Sequence, residues 1–103
     1  MKAVEIATKA AELVGGERDR QHGDKTVNFE NIATLWTAYL CARGLLYFDG
    51  PSGETATLEP LDVAQMMTLM KIARTMSGEH NPDDYIDGAG YQACAGEIAA
   101  AER

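Results

Sequence analysis

Two aspartates stand where a helix would bury apolar side chains, with a third beside them, and carboxylates in such places are chemically informative. The first lies in Glu59-Pro-Leu-Asp62-Val-Ala-Gln-Met-Met-Thr-Leu-Met-Lys71-Ile-Ala-Arg74. Pro60 suits the first helical position, where its missing N–H leaves no hydrogen bond unmade. Advancing ~100° per residue puts Asp62, Met66, Leu69, Met70, Ala73 and Met76 on one arc, with Lys71 opposite and Arg74 at the border. The spacing predicts that Asp62 sits inside the buried stripe. The second stretch is Asp83-Asp84-Tyr-Ile-Asp87-Gly-Ala-Gly-Tyr91-Gln-Ala-Cys94-Ala-Gly-Glu-Ile98. Asp87, Tyr91, Cys94 and Ile98 follow one helix face, and Asp84, three residues before Asp87, projects beside it. Burying a lone carboxylate costs several kcal/mol, roughly, unless it is paired or holds a metal. Two helices offering acids from their core faces would gather like charges that a cation must hold, and hard oxygen ligands suit Mg²⁺ or Mn²⁺. Asp62, Asp84 and Asp87 are thus the candidate catalytic and metal-holding residues. A structural alternative stands beside this one. Asp62 at the third helical position and Asp83 and Asp84 just after Pro82 are favourable N-terminal acids. That accounts for Asp62 and Asp84, and leaves Asp87 unexplained.

The rest of the chain must position these groups. With 103 residues and 46% hydrophobic side chains, the expectation is one globular domain with a modest core. No apolar run reaches the ~18 residues of a membrane span, and Glu5, Lys9 and Glu12 interrupt any signal-peptide core, so the expected location is cytoplasmic. A net charge of −7 argues against direct nucleic-acid binding, which needs a basic footprint. Cys41 and Cys94 read as small core residues, since no metal-binding spacing accompanies them.

Four helices and no strand are expected. Residues 3–14 form an amphipathic helix with Ile6, Ala7, Ala10, Ala11, Leu13 and Val14 on one side, stopped by Gly15-Gly16. The charged connector from Glu17 to Lys25 reads as a solvated loop, or as an anion-facing loop in which Arg18, Arg20 and Lys25 meet phosphate oxygens. Asn28 is a plausible N-cap of a second helix running to about Leu46. Phe29, Ile32, Ala33, Trp36, Tyr39 and Leu40 are its apolar face, with Trp36 and Tyr39 as possible pocket-edge aromatics. Arg43, on the same arc, either snorkels out of the core or faces an anion. Residues 47–58 form a turn-rich crossing loop. The Asp62 helix ends near Ser77-Gly78, and the last helix follows Pro82. Its small residues permit close packing within the bundle or against a second subunit.

Asn28-Phe-Glu-Asn-Ile-Ala-Thr-Leu-Trp36, the Asp62–Arg74 block and Asp84-Tyr-Ile-Asp87-Gly-Ala-Gly-Tyr91 carry a family resemblance, with Glu17-Arg18-x-x-Gln-His22-Gly23-Asp24 upstream. Across residues 17–98 they resemble a small phage and prophage family near the MazG-like, all-α nucleoside triphosphate pyrophosphohydrolases. That superfamily pairs E-x-x-E with a later E-x-x-D to hold Mg²⁺ on two helices of a four-helix core. The resemblance maps these onto Glu59-x-x-Asp62 and Asp84-x-x-Asp87, with Asp in place of Glu at Asp62 and Asp84. It implies Glu59, Asp62, Asp84 and Asp87 as metal ligands, and water attack between the α- and β-phosphates of a nucleotide to release pyrophosphate. Lys71 and Arg74 match the family's basic positions. Arg18, His22 and Lys25 are further phosphate candidates, and Trp36 and Tyr91 are candidate pocket aromatics. Lys71, placed opposite Asp62, either acts across a dimer interface or is a plain surface lysine. The expected architecture is an all-α, four-helix MazG-like bundle completed as a homodimer or homotetramer. The expected function is a Mg²⁺-dependent pyrophosphohydrolase. Its alternative is a non-catalytic oligomeric phage accessory protein built on the same bundle.

Overall fold

A computed structural model describes residues 1–16, 25–46 and 57–101. Its elements are four helices, α1 (Ala3–Gly15), α2 (Lys25–Ala42), α3 (Pro60–Arg74) and α4 (Pro82–Ala101), with no strand among the described residues. The expected all-α, four-helix class is therefore present. Most of the charged connector and of the turn-rich loop, including Glu17, Arg18, Arg20, His22 and residues 47–56, lies outside the described residues.

Helix ends follow local chemistry. On α3, Pro60 occupies the first position and Asp62 closes a capping box with Glu59. The Glu59 N–H donates to Asp62 Oδ2 at 2.8 Å, satisfying one of the amides that a helix start leaves unpaired. Asn81 starts α4, accepting the Asp83 N–H on its side-chain oxygen at 3.0 Å and the Asp84 N–H on its carbonyl at 3.1 Å. Helix α2 begins at Lys25, three residues before Asn28, so Asn28 lies in the first turn and is not the cap. It also stops earlier than expected. Gly44 adopts φ 72°, the Leu45 N–H reaches the Leu40 carbonyl at 2.9 Å, and the Gly44 N–H reaches that of Cys41 at 3.0 Å. That pair of bonds is a Schellman ending, which needs a left-handed residue and so favours glycine.

Helix α4 is the spine of the fold, packed most extensively against α3 and next against α1, while α2 packs on α3. The core gathers Phe29 and Ala33 from α2, Val63 and Ala64 from α3, and Cys94, Ala95 and Ile98 from α4. Val14, Ile32, Trp36, Leu58, Leu61, Met67 and Tyr91 flank it. The Leu58 N–H donates to Thr37 Oγ1 at 3.0 Å and so ties the approach to α3 onto α2. Cys94 is buried as expected, whereas Cys41 is exposed near the end of α2.

The orientation of α3 overturns the helical-wheel expectation. Val63 and Ala64 are fully buried, while Asp62, Met66, Leu69, Met70, Ala73 and Met76 all face solvent. Helix α4 comes close to both neighbours at its glycines: a Cβ added at Gly88 would lie 3.6 Å from Lys71 Cβ on α3, and one at Gly90 would lie 3.4 Å from Val14 Cγ1 on α1. The residues that α3 turns into the shared core are the slim Val63 and Ala64, which suit a close helix approach.

Val63→Ala should lower unfolding free energy by about 2 kcal/mol through lost burial and the cavity left behind. Leu35→Ala, on the exposed face of α2, should change it by no more than about 0.5 kcal/mol. Chemical denaturation of both variants checks the assignment of core and surface.

Candidate functional site

Helices α3 and α4 run antiparallel, joined by the short turn after Arg74. The register follows from four polar contacts. Arg74 meets Asp84, Lys71 meets Asp87, and Gln92 donates to Thr68 Oγ1 at 3.2 Å and to Gln65 Oε1 at 2.8 Å. Positions fall along α3 as they rise along α4. The end of this hairpin near the turn is polar, and the apolar core lies toward its other end.

Two ion pairs form a charge quartet at that polar end. The Arg74 guanidinium donates through Nε to Asp84 Oδ1 at 3.1 Å, and Lys71 Nζ lies 3.1 Å from Asp87 Oδ2. The Asp84 side chain is only 7% exposed, against 57% for Arg74. A carboxylate so withdrawn from water requires a cation or hydrogen-bond donors, and the two bases on α3 supply the cations. Among the described residues no buried side-chain nitrogen or oxygen lacks a hydrogen-bond partner. The i, i+3 spacing of Asp84 and Asp87 and the matching spacing of Lys71 and Arg74 stack the pairs one helical turn apart.

The structure thus unites four of the sequence-derived site residues, Lys71, Arg74, Asp84 and Asp87. It places Lys71 in the hairpin of its own chain, paired with Asp87 and with its side chain 13% exposed, so it is not a plain surface lysine. Asp62 is elsewhere. It lies on the opposite side of α3 from Lys71 and about 13 Å away along the helix axis, bonded to the Glu59 backbone. Lys25 pairs with Glu97 at 2.8 Å, ten residues and about 15 Å along α4 from Asp87. Trp36 is half-buried beside the core. Tyr91, one turn beyond Asp87, sets its ring centroid 6.5 Å from that of Phe29. Tyr39 and Arg43 are exposed, and Arg18 and His22 fall outside the described residues.

A four-carboxylate cage from Glu59, Asp62, Asp84 and Asp87 is therefore not assembled within one chain. Among the described residues no group of three or more His, Cys, Asp or Glu side chains is arranged to hold a metal ion. The donor chemistry that remains is the Asp84 and Asp87 pair. Two carboxylates fit Mg²⁺ only as part of its shell, because that ion keeps waters and takes the rest of its ligands from a bound phosphate. Sequence reasoning missed the Gln92 contacts, which fix the register. A glutamine amid alanines on α4 is the signal that points to them.

Arg74→Met should destabilise the fold by about 1–2 kcal/mol, the cost of leaving Asp84 without its cation, discounted for the exposed guanidinium. Adding Asp84→Asn to that variant should restore part of the loss. A double-mutant cycle by denaturation reads the coupling directly, and additive losses would mean that the pair is energetically idle.

Residues 5–99 match the family model described as Domain of unknown function (DUF6378). The chain is 42% identical over 86 residues to the Gene 55 protein of Mycobacterium phage L5, covering 84% of this chain and 47% of that protein. It is 33% identical over 93 residues to the Gene 55 protein of Mycobacterium phage D29, covering 90% of this chain and 52% of that protein. The chain thus spans about half the length of these phage relatives. No solved structure matches it. The region shared with the family model contains all four helices almost entirely, together with the charge quartet, and the chain belongs to the DUF6378 family.

Proposed function

We propose that this chain is a phosphate-handling helical domain of the MazG-like kind, a Mg²⁺-dependent nucleoside triphosphate pyrophosphohydrolase working at the α3–α4 hairpin. One observation carries the reading: Lys71, Arg74, Asp84 and Asp87 converge at one end of two facing helices. Cations and carboxylates in alternation match a ligand that is itself mixed in charge, a polyphosphate with its divalent ion. The resemblance in the Asp62–Arg74 and Asp84–Tyr91 blocks supports the same reading.

In this proposal Asp84 and Asp87 hold the ion jointly with the phosphates. The ion, when bound, supplies positive charge to the phosphate oxygens and to the attacking water. Lys71 and Arg74 exchange their carboxylate partners for phosphate oxygens, Arg74 with the planar fork suited to them. The exchange is near-neutral in charge, because each side chain leaves one oppositely charged partner for another. Water adds to the α-phosphorus, the bond to the bridging oxygen breaks, and the products are a nucleoside monophosphate and pyrophosphate. Asp62 and Glu59 have no part in this site; they cap α3. Arg18 and His22 remain candidates for further phosphate contacts.

A second reading has its own support. Asp84 and Asp87 already have cation partners, and an apolar stripe of α3 faces solvent, as in a non-catalytic, self-associating phage accessory module. The expected cytoplasmic location belongs to both readings. Among the described residues no helix is long and apolar enough to cross a membrane.

Pyrophosphate release from a panel of nucleoside triphosphates with Mg²⁺ separates them. The hydrolase reading expects turnover that falls at least ~100-fold in Asp87→Asn and in Lys71→Met, with both variants folded. Asp62→Ala should retain activity and lose only about 0.5–1 kcal/mol of stability through its cap. Absence of turnover across the panel leaves the accessory reading.

A further inference from the structure

A lysine stem carries much rotamer freedom and its head prefers water, yet Lys71 is held between two helices. Its side chain is only 13% exposed, and its ammonium lies 3.1 Å from Asp87 Oδ2. The root of that stem lies against α4 at Gly88, where an added Cβ would stand 3.6 Å from Lys71 Cβ. Asp87 and Gly88 are consecutive, so one turn of α4 supplies both the carboxylate and the bare backbone beside the stem. The other base differs. Asp84 is followed by Tyr85, and Arg74 keeps 57% of its side chain exposed.

We propose that Gly88 is a positioning residue of the charge quartet. Its lack of a side chain seats Lys71 against Asp87 and so fixes where the ammonium meets a phosphate oxygen. The seating stands on the helix geometry alone, whereas its use toward phosphate rests on the function proposed above. Glycine inside a helix is otherwise unfavourable relative to alanine. A methyl group at 3.6 Å makes ordinary contact, so residue 88 must be small but need not be glycine. A β-branched chain adds two carbons at that point and keeps essentially one rotamer in a helix. It competes with the Lys71 stem for the same space, and the displaced stem carries its ammonium away from Asp87 into water.

The test is the acylation rate of each lysine amine in the intact chain, with acetic anhydride as probe and peptide mass spectrometry as readout. In the wild type, Lys71 should label at least ~10-fold more slowly than the exposed Lys2 and Lys9. Gly88→Ala should keep that protection, and Gly88→Ile should bring Lys71 close to the rate of Lys9. Gly96→Ile, at an α4 glycine where an added Cβ meets nothing within 4 Å, should leave Lys71 protected. That control separates the seating of Lys71 from a general weakening of the helix. Calorimetric binding of magnesium tripolyphosphate should weaken at least ~10-fold in Gly88→Ile and stay unchanged in Gly88→Ala. Wild-type Lys71 labelling as fast as Lys9, or equal Lys71 labelling in folded Gly88→Ile and wild type, would overturn the proposal. Should Gly88→Ile unfold, the same substitution in a Lys71→Ala chain decides: with the stem gone the helical circular dichroism should return, and its absence there would overturn the proposal too. Undiminished tripolyphosphate binding in Gly88→Ile would overturn the role toward phosphate. A wild type that binds no tripolyphosphate, with the expected labelling pattern, would contradict phosphate handling and leave the seating of Lys71 in place.

Discussion

The close approach of α3 and α4 is the constraint on which the remainder of this structure depends. Gly88 brings α4 close to α3 at Lys71, and the core the two helices share takes Val63 and Ala64 from α3 with Cys94, Ala95 and Ile98 from α4. Once that register is set, the residues beyond the apolar end have no choice of neighbours. Lys71 is brought to Asp87 and Arg74 to Asp84, and two carboxylates that would be costly to withdraw from water are matched by two cations. The same rotation of α3 turns its methionine-rich side outward. Core, charge quartet and exposed stripe are therefore three outcomes of one packing decision.

On the proposed function, the quartet would serve as a ligand site as well as a stabilising element. Partly buried ion pairs contribute little net energy to folding, since desolvation offsets much of their attraction. Their partners are exchangeable for a ligand that presents the same charges in better geometry. On that proposal the site would be neutral when empty and would favour mixed-charge ligands without a separate acidic cage. The capping acids Glu59 and Asp62 illustrate the opposite case, where carboxylates are consumed by backbone amides at a helix start.

Much of the architecture was legible from residue types. The four helices, the Pro60 and Pro82 starts, and the Asp87–Tyr91–Cys94–Ile98 face all follow from periodicity and punctuation. Asp87 stands out in the sequence because an acid inside an apolar face is anomalous, and Asp84 because it flanks Asp87 one turn earlier. Asp62 was misread for a physical reason. The wheel counts apolar residues, and α3 has two usable faces; which one is buried depends on how α4 approaches, a property of another element. Lys71 was misplaced by the same rotation. The end of α2 was missed because Gly44 imposes a left-handed stop inside an apolar run, and the position of Cys41 followed from that stop.

The most direct test of this account is carboxylate ¹³C NMR of aspartate-labelled chain, titrated with Mg²⁺ and a non-hydrolysable nucleoside triphosphate. If the α3–α4 quartet is the ligand site, the Asp84 and Asp87 signals should move together and saturate at one ligand concentration, while Asp62 stays fixed as a helix cap. Movement of Asp62 in step with the other two, or no movement of Asp84 and Asp87 at saturating ligand, would contradict it.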